Sequence, residues 1–236
     1  MQLLKDRFNP WGITFNHGQG MTDWTINSSW IGQNQDFTEM KVALRRGDYK
    51  TLNLHLVNLT NPSIGGECSH PVLEKTKTPE KARRLAEDGC VVSTATLDGS
   101  LVPTLNMGVT AVHEVGHWFG LWHTFESGLG SDGDSCSPAN PDDEVSDTPK
   151  MILFEPWQCI EDDTCPDDKG ADPIHNYMAY TSDACRYEFT KGQAQVFSVL
   201  RHQSSANFCP TETACIPSTT NLGRLGPRLR TLLWFF

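Results

Sequence analysis

The segment HEVGHWFGLWH, residues 113–123, gathers three of the chain's eight histidines into eleven residues. On an α-helix each residue advances by about 100°, so His113 and His117 fall one turn apart on the same face. Two imidazoles stacked in this way can grip one tetrahedral metal ion through neutral ring nitrogens. Glu114 flanks the first of them, where a carboxylate can deprotonate a metal-bound water without being a ligand itself. A regular helix could not bring His123 to the same ion. Gly120 resolves this: at positive φ it ends the helix and turns the chain so that His123 approaches from below. Three protein ligands leave a fourth position for water, the arrangement of a catalytic zinc; a closed structural site would need four. Histidines serving only as core residues would explain neither the glycine nor the glutamate.

The spacing requires a helix over about 106–119, with Val112, Val115 and Phe119 on its packed side. Residues 2–8 predict a short amphipathic helix stopped by Pro10 and Gly12, and GITFN reads as a short strand. Residues 36–46 predict a helix with Asp36 as N-cap and Gly47 behind it. In TLNLHLVNL, leucine alternates with Asn53 and His55, the pattern of a half-buried strand with His55 on its open face. A charged helix near 79–87 and a strand-like CVVSTAT follow, and a last helix is expected over 190–203. Beyond Gly128 turn formers and acids dominate, and the tail from Pro210 is unrelated to the rest, either a loose extension or one whose final apolar residues pack.

At 236 residues the chain can bury one sizeable core, and a single domain of two lobes is expected. A net charge of −10 argues against a nucleic-acid partner, which needs clustered Lys and Arg. No apolar run approaches the ~18 residues of a membrane span. Eight cysteines without a single C-x-x-C pair favour disulfides and an oxidising compartment over a thiolate zinc site. The triplets starting at Asn27 and Asn58 are candidate N-glycosylation sites, compatible with secretion. The start, MQLLKDRFNPWGITF, has no long apolar stretch, so the reading expects a leader that this chain does not carry.

The full pattern H-E-x-x-H-x-x-G-x-x-H is the signature of the metzincin zinc endopeptidases. With HNYMAY at 175–180, and with FNPWGITF, ALRRGDYKTLNLH, VSDTP, DPIHNYMAY and EFTKGQ in the same order, the chain resembles the pappalysin family of metzincins, especially its secreted fungal-type members. The likeness covers about residues 2–208. It implies an α+β fold: a twisted mixed sheet with helices in an upper lobe of about 1–123, an irregular disulfide-pinned lower lobe of about 124–209, and a cleft between them. The tail 210–236 stands outside it. TLNLHLV is expected as the cleft-side edge strand. The resemblance also implies one catalytic zinc on His113, His117 and His123, Glu114 as general base, Met178 as the floor of a Met-turn, and the Tyr180 hydroxyl on the oxyanion. His175 is read as structural. The implied bridges are Cys159–Cys185 and Cys136–Cys165, which leaves Cys68 to pair with Cys90 and Cys209 with Cys215. Where the family carries Asp in the Met-turn this chain has Ala179.

The expected activity is a secreted zinc endopeptidase, monomeric, acting on proteins or peptides. Asp183, two residues before Cys185, is expected by the pocket for the residue after the scissile bond, favouring Arg or Lys there. A cluster of Asp132, Asp134, Asp142, Asp143, Glu144 and Asp147 invites a calcium ion, with Asp143 and Asp147 the foremost ligands. The rival reading is a catalytically inactive binding protein on a protease scaffold; its usual mark would be loss of Glu114 or of a histidine, and all are present.

Overall fold

Residues 51–57 alternate leucine with polar side chains, yet all but Leu56 are buried. The reason is a covering layer on each face of the strand. The computed structural model describes residues 1–16, 22–23, 25–27, 30, 36–59, 65–71, 79–100, 102–125, 136, 143–153, 156–197 and 231–235. In chain order the elements are α1 (Gln2–Phe8), β1 (Thr22–Asp23), α2 (Thr38–Leu44), β2 (Thr51–Val57), β3 (Gly66–Cys68), α3 (Pro79–Ala86), β4 (Cys90–Ser93), α4 (Val109–Trp118), a helix α5 over 191–197, and β5 (Thr231–Phe235). The strands form one sheet in the order β1-β5-β2-β4-β3. β2 and β4 are parallel, with α3 between them in sequence, and the other pairs are antiparallel.

The period-2 pattern divides the sheet faces between two cores. Leu52, Leu54, Cys90 and Val92 join Val112, Val115 and Phe119 of the α4 region in the main core. Val57 and Val91 point the other way, onto Phe37 and Met40 at α2. His55 shares this second face and is 2% exposed, so the expected open sheet face is corrected: α2 covers it. Phe8 of α1 closes the main core, with ring centroids 5.2–5.5 Å from those of Phe15, Phe119, Phe189 and Phe197. Beyond α4, Arg45 pairs with Asp88 at 3.2 Å, and the Trp118 indole N–H donates to the same carboxylate. The end of the helix is thereby tied to the chain leaving α2.

Four more expectations meet the structure. α1, α2 and α3 fall where they were expected, but the N-cap of α2 is Phe37 and not Asp36, whose carboxylate accepts from the Thr38 amide one residue outside the cap. Ile13 and Phe15 of GITFN are buried, but residues 13–15 form no strand. TLNLHLV is not the cleft-side edge: β2 lies between β4 and β5, and the edge on the α4 side falls to β3. The final apolar residues of the tail, whose packing the sequence leaves open, include β5, which pairs with both β1 and β2. Residues 198–230, including Cys209 and Cys215, lie outside the described residues.

Burial holds His55 at a pKa of about 4, with Lys41 and Arg45 opposing its charge, and neither ring nitrogen has a partner among the described residues. The unfolded chain therefore takes up this proton near pH 6.5 and the folded one only near 4, so stability present above 6.5 is lost as pH falls between those values. We expect metal-free protein to lose about 2 kcal/mol through this group between pH 7 and 5. Urea unfolding at both pH values should show that loss in the wild type and a smaller one in His55→Leu.

Candidate functional site

Both ends of α4 are set by tertiary or turn chemistry. Its N-cap is Gly108, at φ 75°, which has no side chain to cap the helix. Asp183 does so from a distance, its Oδ2 accepting from the amides of Met107 (2.9 Å) and Val109 (3.4 Å). At the other end Gly120 takes φ 86°, the Gly120 amide bonds the His117 carbonyl, and the Leu121 amide bonds the Gly116 carbonyl. This is a Schellman closure, which needs a residue free to enter the left-handed region. It turns the chain as the sequence reading required.

The result is convergence of three imidazoles. His117 Nε2 lies 3.1 Å from His113 Nε2 and 3.1 Å from His123 Nε2. The Nδ1–H of His113 donates to the Tyr177 carbonyl at 2.7 Å and that of His117 to the Leu121 carbonyl at 2.8 Å. Those bonds fix the tautomers, leaving the two Nε2 lone pairs to face a common point. Burial and the neighbouring imidazoles hold His113 well below its usual pKa, and burial holds His123 at about 4, so both are neutral at neutral pH. Tetrahedral coordination at 2.0–2.1 Å separates donors by roughly 3.3 Å, so the triad fits a zinc ion. Among the described residues these three histidines form a group able to hold a metal.

Glu114 completes the fit. It is 4% exposed, and its Oε2 has no hydrogen-bond partner among the described residues. Burial, with Glu67 adding a like charge, pushes its pKa up to about 8, while Lys41 and Arg186 pull it down. A cation on the imidazoles would act in the same direction as Lys41 and Arg186. β3 runs directly alongside: a Cβ on Gly66 would lie 2.8 Å from Glu114 Oε1.

The loop 176–180 lies on the other side of the triad. Met178 is fully buried, its amide bonds Asn176 Oδ1, and its carbonyl accepts from the Thr124 amide. Its sulfur packs so close to α4 that a Cβ on Gly116 would meet it at 2.5 Å. Tyr180 has ring-centroid distances of 5.5 Å to His113 and 4.9 Å to His123, and stacks on Trp157. Ala179 is buried with Phe125 and Met151. His175 stacks on Tyr187 and donates from Nδ1 to the Cys185 carbonyl, which suits a structural residue.

Other expected residues fall elsewhere. Asp183 does not front a substrate pocket: its side chain is 1% exposed, and it is bonded to Arg186 at 2.8 Å and to the two amides at the start of α4. A carboxylate so committed has no oxygen for a substrate's Arg or Lys, contrary to the expectation of a pocket residue. Asp147 is likewise engaged, by the Thr190 hydroxyl and the Gly192 amide, and Asp143 accepts from the Val145 amide. Calcium gains no support from these bonds; Asp132, Asp134 and Asp142 lie outside the described residues. Asn58 is exposed and Asn27 half-buried. Cys68–Cys90, Cys136–Cys165 and Cys159–Cys185 are bridged. Arg186 and His70, whose ring is 5.2 Å from that of His117, were missed because no spacing in the sequence links them to the helix.

Fold and site together are those of a metzincin-like α+β metallopeptidase scaffold. The model of the Peptidase_M43 family, described as Pregnancy-associated plasma protein-A, matches residues 87–200. An extracellular metalloprotease of Pyricularia oryzae is 40% identical over 193 residues, covering 82% of this chain and 62% of that protein. One from Sordaria macrospora is 38% identical over 207 residues, covering 88% and 67%. The solved structure of mirolysin in complex with compound 9 superposes with a TM-score of 0.50 at 31% identity, over 64% of this chain and 55% of that one. The chain belongs to this pappalysin family. It spans about three fifths of the length of the first of these relatives.

The Gly116–Met178 approach yields a test. Gly116→Ala forces the buried sulfur away from α4, and overpacking of this kind costs about 1–3 kcal/mol. Thermal unfolding should show a Tm several degrees lower, with weaker zinc retention in a chelator titration.

Proposed function

We propose that this chain is the catalytic part of a secreted zinc endopeptidase. The observation that carries the reading is the convergence of three imidazoles beside a buried carboxylate oxygen with no protein partner among the described residues. Zinc, when bound by His113, His117 and His123, supplies a Lewis acid for the scissile carbonyl and lowers the pKa of water beside it.

The chain's own residues do the rest. Glu114 takes the proton of the attacking water and delivers it to the departing amine nitrogen. The Tyr180 hydroxyl donates a hydrogen bond to the oxyanion that forms on the former carbonyl. Met178, packed against Gly116 of α4, serves as the apolar floor of the site. Among the described residues β3 pairs only with β4, so its outer edge offers main-chain donors and acceptors to an extended peptide beside Glu114. Secretion is supported by the extracellular relatives and by the three disulfides. The division into lobes near residue 123 fits the change there from helices and strands to disulfide-held loops. We do not extend the reading to a preference for Arg or Lys after the scissile bond, since Arg186 already occupies Asp183.

Incubation of the zinc-loaded protein with a mixed peptide library, read by mass spectrometry, tests this. Internal cuts should appear with the wild type and vanish with Glu114→Ala, whose zinc content should be unchanged. Equal cleavage profiles for the two would instead support a binding protein on a protease scaffold. Tyr180→Phe should lower kcat about 100-fold with little change in KM.

A further inference from the structure

We infer that His70 is a positioning residue for the metal centre, holding two of its three ligands through the turn that links them. The inference deepens the zinc reading above and rests on it.

His70 follows β3 on a segment with several anchors. Cys68 is bridged to Cys90, the Ser69 amide bonds the Gly89 carbonyl at 3.3 Å, and the Ser69 hydroxyl bonds the Glu87 carbonyl at 3.0 Å. The imidazole is thus presented from the sheet side by a backbone that cannot easily shift. It engages both residues between Gly120 and His123. Its Nε2–H donates to the Leu121 carbonyl at 3.2 Å, and its ring stacks on the Trp122 indole at a centroid distance of 4.2 Å and 25° between planes.

The Leu121 carbonyl is also the acceptor that fixes His117, whose Nδ1–H reaches it at 2.8 Å. A carbonyl has two lone pairs, so it can accept both donors, and the second holds it in the orientation the first requires. Trp122 immediately precedes His123, so the stack restrains the short arm that carries the third ligand. One side chain outside the ligand set therefore acts on His117 through an acceptor and on His123 through the turn. Bonds that orient ligand histidines typically govern metal affinity by 10–100-fold.

The test reads metal binding rather than turnover. Zinc dissociation constants are measured by chelator competition for the wild type, His70→Phe, His70→Asn and His70→Ala, with the Co(II)-substituted absorption spectrum as a measure of ligand geometry. His70→Phe keeps a ring on Trp122 and deletes the donor; we expect about 10-fold weaker zinc binding and an altered cobalt spectrum. His70→Ala removes both contacts and should bind more weakly still. His70→Asn retains a donor and should recover part of the affinity. A role confined to folding would lower Tm in all three variants without this ordering. Zinc affinity and cobalt spectrum unchanged in His70→Ala would overturn the inference and leave the peptidase reading standing. A wild-type chain that binds no zinc would overturn both.

Discussion

Three imidazole nitrogens held with neighbouring pairs 3.1 Å apart, lone pair toward lone pair, are an arrangement that a chain does not adopt for its own stability. Without a shared cation these atoms repel, and the burial of His113 and His117 leaves little solvent to screen them. The structure holds them with bonds that cost no mobility at the site itself. Two imidazoles are fixed by their far nitrogens to backbone carbonyls, one at Tyr177 in the loop below and one at Leu121 in the turn beyond the helix. Those carbonyls belong to segments that are themselves anchored, so the imidazoles inherit their positions. The low proton affinities of His113 and His123 follow first from burial, which keeps both unprotonated at neutral pH.

The same logic explains how so irregular a second half can build half of the site. From Thr124 onward the described residues have a single helix, over 191–197, before the closing strand. Order there comes from cross-links and from side chains bonded to backbone. Cys136–Cys165 and Cys159–Cys185 close loops of 29 and 26 residues, each contributing on the order of 3 kcal/mol through the unfolded state. Asp183 and Arg186 then join this loop region to the start of α4, because Arg186 also donates to the Ala179 carbonyl. A buried ion pair is weak evidence of stability but strong evidence of geometry: breaking it on one side strands a charge, so the two segments move together or not at all.

How much of this was legible in the sequence depends on how local the physics is. The ligand helix, its glycine stop and its three imidazoles are written in eleven consecutive residues, and the structure keeps their spacing. α1, α2 and α3 follow from short-range periodicity and capping. His55 was misplaced because alternation reports which face a residue takes, and says nothing of whether a second helix covers that face. Asp183 was misassigned because its partner, Arg186, is three residues away in a loop where no periodicity applies, and its other contacts lie near residue 108. His70 reaches the site only because a disulfide and a sheet pairing bring residues 68–70 beside 89–90.

The strand order bears most directly on how a peptide could lie. A peptide running along β2 would be separated from β3 by β4, about 9–10 Å at ordinary strand spacing, and on the far side from Glu114. The edge that remains is β3, three residues long and bridged at its end to β4. Gly66 stands in this edge close to the glutamate, a Cβ there lying 2.8 Å from Glu114 Oε1. On the proposed function the shortness of β3 has a physical sense, since a few peptide units beside the triad are all that the edge has to register. A longer apolar edge would invite pairing with other chains.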